Sequence, residues 1–330
     1  MQIHATVGPT SRNAENLKAL LSENVHAVRI NMSHADLADL PVLVGEIKEI
    51  NPAVLIGADI RGRKLRIGTF KEGEILLQSG DRFSLIPVKE ELEGNVKYAS
   101  VNYPTLCSSA AKGLKILLDD GAISLITQEV LKDEVLCVVE NGGVLPQRSG
   151  LNIPGHFYNI RGVSDKDLND LDHISKCAFD LLYLSFVERS DDIVLLRAEQ
   201  NKRAMSLPII AKIELSTSVD NIADILTEAD GICIARGDLG VETPLAKLPD
   251  IQSKIVRASK QAGKPVYLAG EVLFSLINRH TPFRAEVTDV ITALKQGVDG
   301  FILSDETAKG INPANAVNVL DRLINSYFND

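Results

Sequence analysis

Polar residues two apart at the end of a strand point to the same side of the chain, and this sequence repeats that arrangement at five strand-like runs. Arg29, Asn31 and Ser33 close one run, Asp59 and Arg61 a second, Lys212 and Glu214 a third, Arg236 and Asp238 a fourth, and Ser304 and Glu306 a fifth. One such pair is ordinarily a solvated strand end or a local ion pair. Five that converge are different, because charged side chains are costly to bury unless they are paired or bound to an ion. Glu214 and Asp238 are hard oxygen donors suited to Mg²⁺, and Arg29, Lys212 and Arg236 carry positive charge for an anion. In Ala235-Arg236-Gly237-Asp238-Leu239-Gly240 the glycines let backbone N–H groups approach a carboxylate closely.

Convergence requires elements that bring these ends together. Ile3–Val7, Ala27–Ser33 and Val54–Ile60 read as strands, with helical patterns starting near Ala14 and Ala35. After position 150, runs at Leu181–Phe186, Ile209–Glu214, Gly231–Arg236, Val266–Ala269 and Gly300–Ser304 alternate with helical patterns starting near Asp165, Asp191, Val219, Asp250 and Thr281, and a last helix begins at Pro313. Three strands and five make the eight of an α/β (β/α)₈ TIM barrel, whose active sites lie at the C-terminal ends of the strands. Residues 68–150 differ, with GDRFSLIPV, KILLDDGAISL and EVLCVVENGG reading as strands joined by Gly, Asp and Asn turns. The expected division is a discontinuous barrel of 1–67 and 151–330, with 68–150 inserted after strand three as a small β-barrel lid over the mouth.

Composition narrows the chemistry further. The 330 residues carry 44 acidic against 35 basic side chains, a net charge of −9, and no basic block of the kind nucleic-acid binding uses. No stretch approaches the roughly 20 apolar residues of a membrane helix, and the first residues lack a signal-type run. A cytoplasmic protein with no membrane partner is expected. Cys107, Cys137, Cys177 and Cys233 are widely spaced, without the CxxC pairing of a zinc or redox site.

The motifs themselves resemble the pyruvate kinase family over nearly the whole chain. ATVGPTS, RINMSH, IIAKIE, ICIARGDLGVE, RAEVTDV and SDETAKG correspond in order to that family's barrel signatures, and ILLDDGAISL, VENGG and GLNIPG to its lid. The resemblance implies phosphoryl transfer between phosphoenolpyruvate and ADP, with Mg²⁺ or Mn²⁺ held by Glu214 and Asp238 and Lys212 stabilising the phosphoryl group in flight. It implies Arg29 as a phosphate contact, with Ser304 and Glu306 beside it in the catalytic set, and Ser185, Arg236, Gly237, Asp238 and Gly270 around the substrate. Asn31, His34, Arg66, Asp120 and Arg148 are implied on the nucleotide side. The expected partners are therefore a small-molecule substrate and ADP or ATP, and the barrel face is the route left for a homo-oligomer.

Four departures from the family pattern carry expectations of their own. Lys64 and Ile60 in DIRGRKLRIG stand where the family usually has glutamate and threonine, like the branch that works without K⁺; the Lys64 ammonium is expected near Ser33 and Asp59 as a fixed substitute for the ion. Gly270 replaces a threonine and Glu271 a glutamine in AGEVL, which predicts a gap beside the reacting carbon and room for a 3-substituted enol phosphate. Ser149 takes the place of a lid lysine next to Arg148. The chain stops at Asp330, after the eighth helix, so activation through the family's C-terminal regulatory domain is not expected. A metal-dependent aldolase or lyase acting through a pyruvate enolate is the competing reading, since the same carboxylates would serve it.

Overall fold

A computed structural model describes residues 1–88 and 91–329. Eight parallel strands close a barrel in the order β1 (Gln2–Val7), β16 (Gly300–Leu303), β15 (Val266–Ala269), β14 (Gly231–Ala235), β13 (Ile209–Ile213), β12 (Leu181–Leu184), β3 (Leu55–Ile60) and β2 (Ala27–Asn31). The expected strands are all present, and several stop one or two residues before the polar residues assigned to their ends. Ser33, Glu214, Arg236 and Ser304 therefore stand just past their strands, where the chain rims the mouth.

Helices α1 (Ala14–Leu21), α2 (Leu40–Ile50), α4 (Asp165–Ile174), α5 (Ser190–Asn201), α6 (Ser216–Asp220), α7 (Ile222–Glu228), α8 (Arg236–Glu242), α9 (Leu248–Gln261), α10 (Arg284–Gln296), α11 (Asp305–Ala308) and α12 (Pro313–Asn329) surround the strands. Local chemistry sets their starts. Asn13 caps α1 by accepting from Asn16 N, and Ser164 and Asp167 form a reciprocal capping box on α4. The second helix starts at Leu40 rather than near Ala35, because Asp36 accepts from Ala38 N in a turn and Pro41 favours the first helical turn. No helix among the described residues is long and apolar enough to cross a membrane.

Between β3 and β12 the chain leaves the barrel. Strands β11 (Leu151–Asn152), β7 (Lys115–Leu118), β8 (Ile123–Val130), β9 (Val135–Asn141), β5 (Arg82–Pro87) and β6 (Tyr98–Val101) form one sheet in that order, β10 (Gly143–Pro146) pairs with β4 (Glu74–Leu77), and α3 (Leu106–Ser109) follows β6. This segment has its own core around Phe83, Tyr103, Ile116 and Leu125. Phe186 and Leu215, from the loops after β12 and β13, are buried in that same core, so apolar side chains from the barrel mouth seat the insertion. Arg63 on the outgoing connection is buried against Glu188 and Asp192, and Glu188 also accepts from Tyr158 N on the returning one at 3.2 Å. Both connections are thus anchored on the loop between β12 and α5.

The barrel interior is filled by Leu181, Tyr183, Ile210, Cys233, Tyr267 and Ile302. Its floor is polar: the Tyr183 hydroxyl lies 2.7 Å from His4 Nδ1, and Tyr267 donates to Gln2 Oε1 at 2.9 Å. Burial drives the His4 imidazole down to about 3, which keeps it neutral and able to share a proton with the tyrosine.

Candidate active site

At the C-terminal mouth of the barrel a cavity of about 160 Å³ is lined by Arg29, Asp59, Lys212, Glu214, Gly237, Asp238, Gly270 and Ser304. Its geometry is built around Asp59, which accepts from Arg29 Nε at 2.6 Å and from Ser185 Oγ at 2.9 Å, and lies 3.2 Å from Lys212 Nζ. Lys212 Nζ also lies 2.8 Å from Ser185 Oγ and 3.1 Å from Glu214 Oε1. The other Glu214 oxygen accepts from Phe186 N at 2.7 Å. Phe186 itself has a left-handed φ of 53°.

Electrostatics follow from this packing. Burial opposes the charge on Lys212, but the Asp59 and Glu214 carboxylates outweigh it and hold the ammonium well above the ordinary lysine value. Burial would raise Asp59, yet Lys212 and Arg29 keep it below the usual carboxylate range. Glu214 is raised, first by burial and then by the nearby negative charges of Asp238 and Asp59, against the opposing effect of Lys212. A site that holds a fixed ammonium and a fixed guanidinium beside a carboxylate raised by its acidic neighbours is complementary to an anion plus a small cation.

Glu214 and Asp238 fit a divalent ion on donor chemistry. Both are carboxylates on the wall of one cavity, and their mutual repulsion is part of what raises Glu214. No cluster of three or more His, Cys, Asp or Glu side chains suited to a metal occurs among the described residues. Mg²⁺ takes one or two protein carboxylates and completes its shell with water and substrate oxygens, so two are sufficient.

Several predicted site residues stand elsewhere than expected. Lys64 does not meet Ser33 or Asp59: its ammonium lies 3.2 Å from Asp238 Oδ1 and 5.1 Å from the Phe186 ring centroid, because Asp59 is already occupied by Arg29, Ser185 and Lys212. The Arg236 side chain turns out of the cavity and gives two bonds to Asp289, at 2.9 and 2.7 Å, and two to Gly270 O, at 3.1 and 2.9 Å. Its charge holds the turn, while its neighbours Ala235, Gly237 and Asp238 line the cavity. Glu306 is buried and accepts from Leu273 N and Ser304 N, which ties the ends of β15 and β16 together instead of facing substrate.

Gly270 does line the cavity, but not as a truncated threonine. Its φ is +86°, and a Cβ there would lie 2.8 Å from Gly237 N. The expected gap is filled by backbone. Glu271 follows with a φ of 52°, so the chain after β15 makes two left-handed steps in succession.

The nucleotide-side residues divide between three clefts. Arg66 and Arg148 line a cleft of about 580 Å³ between barrel and insertion, together with Arg61, Lys166 and His34. Asn31 and His34 line an adjoining cavity of about 530 Å³ that also reaches Arg29, Ser304 and Lys309. His34 is lowered from its ordinary value by burial and by Arg66, Lys309 and Arg29, leaving a neutral ring in a cationic surround. Asp120 is apart from these, in a cleft of about 710 Å³ with Arg236 and Gly237. Ser149 is turned into the insertion, donating to Asp119 Oδ1 and Pro146 O, while the exposed Arg148 pairs with Glu91.

Sequence reasoning missed Thr6, whose hydroxyl accepts from Arg29 Nη1 at 2.9 Å, and Asp289, which orients Arg236. Thr6 had a legible signal, since His4 and Thr6 alternate inward along β1. Asp289 lies within the RAEVTDV motif, but nothing in that motif's spacing assigns it to Arg236.

The family model described as pyruvate kinase, barrel domain, matches residues 1–317. The pyruvate kinase of Thermococcus litoralis is 36% identical over 326 residues, 98% of this chain and 68% of that one. That of Agrobacterium vitis is 36% identical over 327 residues, covering 98% and 67%. A solved pyruvate kinase from Cryptosporidium parvum superposes with a TM-score of 0.92 at 34% identity, covering 99% of this chain and 68% of that one. With the signature motifs, the closed barrel and the carboxylate pair at its mouth all in agreement, this chain belongs to the pyruvate kinase family.

Proposed function

We propose that the cavity binds phosphoenolpyruvate and that the chain passes its phosphoryl group to ADP seated in the clefts beside it. The observation that carries this is Lys212, an ammonium 12% exposed, fixed between Asp59, Glu214 and Ser185 at the boundary of cavity and solvent. Phosphoryl transfer is catalysed mainly by positioning and charge neutralisation, which a fixed ammonium and a fixed guanidinium supply without reorganisation.

Glu214 and Asp238 would hold Mg²⁺ or Mn²⁺, which when bound polarises the acid's carboxylate and enol oxygen. Arg29, braced by Thr6 and Asp59, faces the phosphate from β2. Lys212 neutralises the charge on the phosphoryl oxygens as the bond from phosphorus to the enol oxygen breaks and the bond to the terminal ADP oxygen forms. The enolate left behind then takes a proton at its third carbon to give pyruvate. Arg66, Arg148, Asn31 and His34 supply the cationic and hydrogen-bonding surfaces for ADP, with Asp120 on the far rim. Lys64, beside Asp238, is the fixed positive charge that makes K⁺ unnecessary.

The size of the cavity supports the unsubstituted acid. The cavity is about 160 Å³, and a Cβ at Gly270 would meet Gly237 N at 2.8 Å, so backbone stands where the expected gap for a third-carbon substituent would lie. Membership in the pyruvate kinase family supports a phosphotransferase and not the lyase reading. The test is a coupled assay of pyruvate formation from phosphoenolpyruvate, ADP and Mg²⁺ with the chain and its Lys212→Met variant. Activity in the first and its loss in the second supports the assignment; equal activity in both overturns it.

A further inference from the structure

Glu242 is the last residue of α8, only 3% exposed, and does not touch the cavity. Its Oε1 accepts from Asn152 Nδ2 at 2.9 Å. Its Oε2 lies 3.5 Å from Ser216 Oγ, and that hydroxyl in turn accepts from Gly155 N at 2.9 Å. Asn152 ends β11, the last strand of the insertion, so Asn152 and Gly155 lie on the strap by which the chain returns to the barrel. Ser216 opens α6 and stands two residues beyond Glu214. The other end of α8 begins with Arg236, Gly237 and Asp238. One buried carboxyl group thus joins the return strap to α8, which carries Asp238, and to the start of α6, two residues beyond Glu214.

The first turn of α8 has no side-chain cap, so little in the helix itself fixes Asp238. Its carboxylate is held by Lys64 at 3.2 Å, and the helix that carries it is held by the Arg236 clamp at the start and the Glu242 contacts at the end. A carboxyl group buried this far is unfavourable unless its hydrogen bonds are made, so strap, α6 and α8 are held in one arrangement or come apart together. We propose that Glu242 is a positioning residue that couples the seating of the return strap to the spacing of Glu214 and Asp238. The proposal rests on the reading that those two carboxylates hold the divalent ion. Groups that orient a metal's ligands without touching the metal commonly change its affinity by roughly 10- to 100-fold.

The experiment uses the full chain and Mn²⁺ alone, measuring binding by electron paramagnetic resonance and, separately, the Mg²⁺ dependence of turnover. Glu242→Ala is expected to weaken Mn²⁺ binding about ten-fold or more, with native near-ultraviolet circular dichroism. Glu242→Gln should restore most of it, because an amide oxygen still accepts from Asn152. Asn152→Ala, which leaves Glu242 in place, should weaken binding in the same direction, and the double variant should be no worse than the poorer single one. Native Mn²⁺ binding in both Glu242→Ala and Asn152→Ala overturns the coupling, as does a loss that Glu242→Gln fails to restore. If Glu214→Gln and Asp238→Asn also bind Mn²⁺ normally, the metal reading itself has failed; if only those two lose it, the coupling alone has failed.

Discussion

The ammonium of Lys64 lies 3.2 Å from the carboxylate of Asp238, across the barrel mouth from the connection after β3 to the start of α8. A positive charge is therefore built into the site next to one of the two carboxylates proposed to hold the metal. The chain is expected to show the same turnover in K⁺, Na⁺ and tetramethylammonium buffers. Lys64→Glu should lower turnover on the order of ten-fold or more, since a charge pair at this range is worth a few kcal/mol, and K⁺ should recover part of the loss. A strong K⁺ activation of the unmodified chain would show that Lys64 does not take the ion's place.

Glu214→Gln and Asp238→Asn keep size while removing charge and turning one acceptor oxygen into a donor. Each is expected to reduce kcat by roughly 10²-fold or more, with circular dichroism unchanged. Excess chelator should abolish turnover in the parent chain. Turnover that survives either substitution at the parental level would remove the carboxylates from the metal site.

Gly270 is the position where structure reverses the expectation drawn from the departure from the family pattern. A side chain there meets Gly237 N at 2.8 Å and must adopt a φ of +86°. Gly270→Ala should cost about 1–2 kcal/mol from the left-handed backbone alone, with a further loss from displacing Gly237, and Gly270→Thr should cost more. Urea unfolding midpoints measure this. The kcat/KM ratio between phosphoenolpyruvate and a 3-methyl analogue should favour the unsubstituted acid in the parent chain; a preference for the analogue would reopen the wider pocket.

Two buried groups give opposite pH dependences of stability. Burial raises Glu242 from 4.5 to about 7, so the native state keeps a proton that the unfolded chain releases, and stability from this group falls as pH rises through that window. Burial lowers His4 from 6.5 to about 3, so the unfolded chain takes up a proton that the native state refuses, and stability falls as pH drops below 6.5. Between 4.5 and 6.5 the two slopes, each up to about 1.4 kcal/mol per pH unit, oppose one another. Glu242→Gln removes one of them. Its stability relative to the parent should climb with pH from 4.5 to 7, read from urea unfolding at several pH values. Parallel curves for the two proteins would mean that Glu242 titrates normally.

The alternation of β-branched runs and amphipathic helices, the polar residues two apart at strand ends and the order of the motifs are local properties of the chain, and they determined the (β/α)₈ barrel, the side of it that carries the chemistry, and the company of Arg29, Asp59, Lys212, Glu214 and Asp238. Those residues lie within a few positions of their strand ends, so strand geometry alone aims them at the mouth. Only the tertiary structure decided which charge neutralises which. Asp59 went to Arg29 and Lys212, which left Lys64 for Asp238. Arg236 went to Asp289, 53 residues away on α10. Spacing also could not tell that Glu306 would turn onto the backbone of Leu273, or that Gly270 would sit against Gly237 rather than open a gap. An ion pair depends on distance between side chains brought together by packing of distant elements, and a glycine's role on the φ that packing imposes. Neither is encoded in periodicity along the chain.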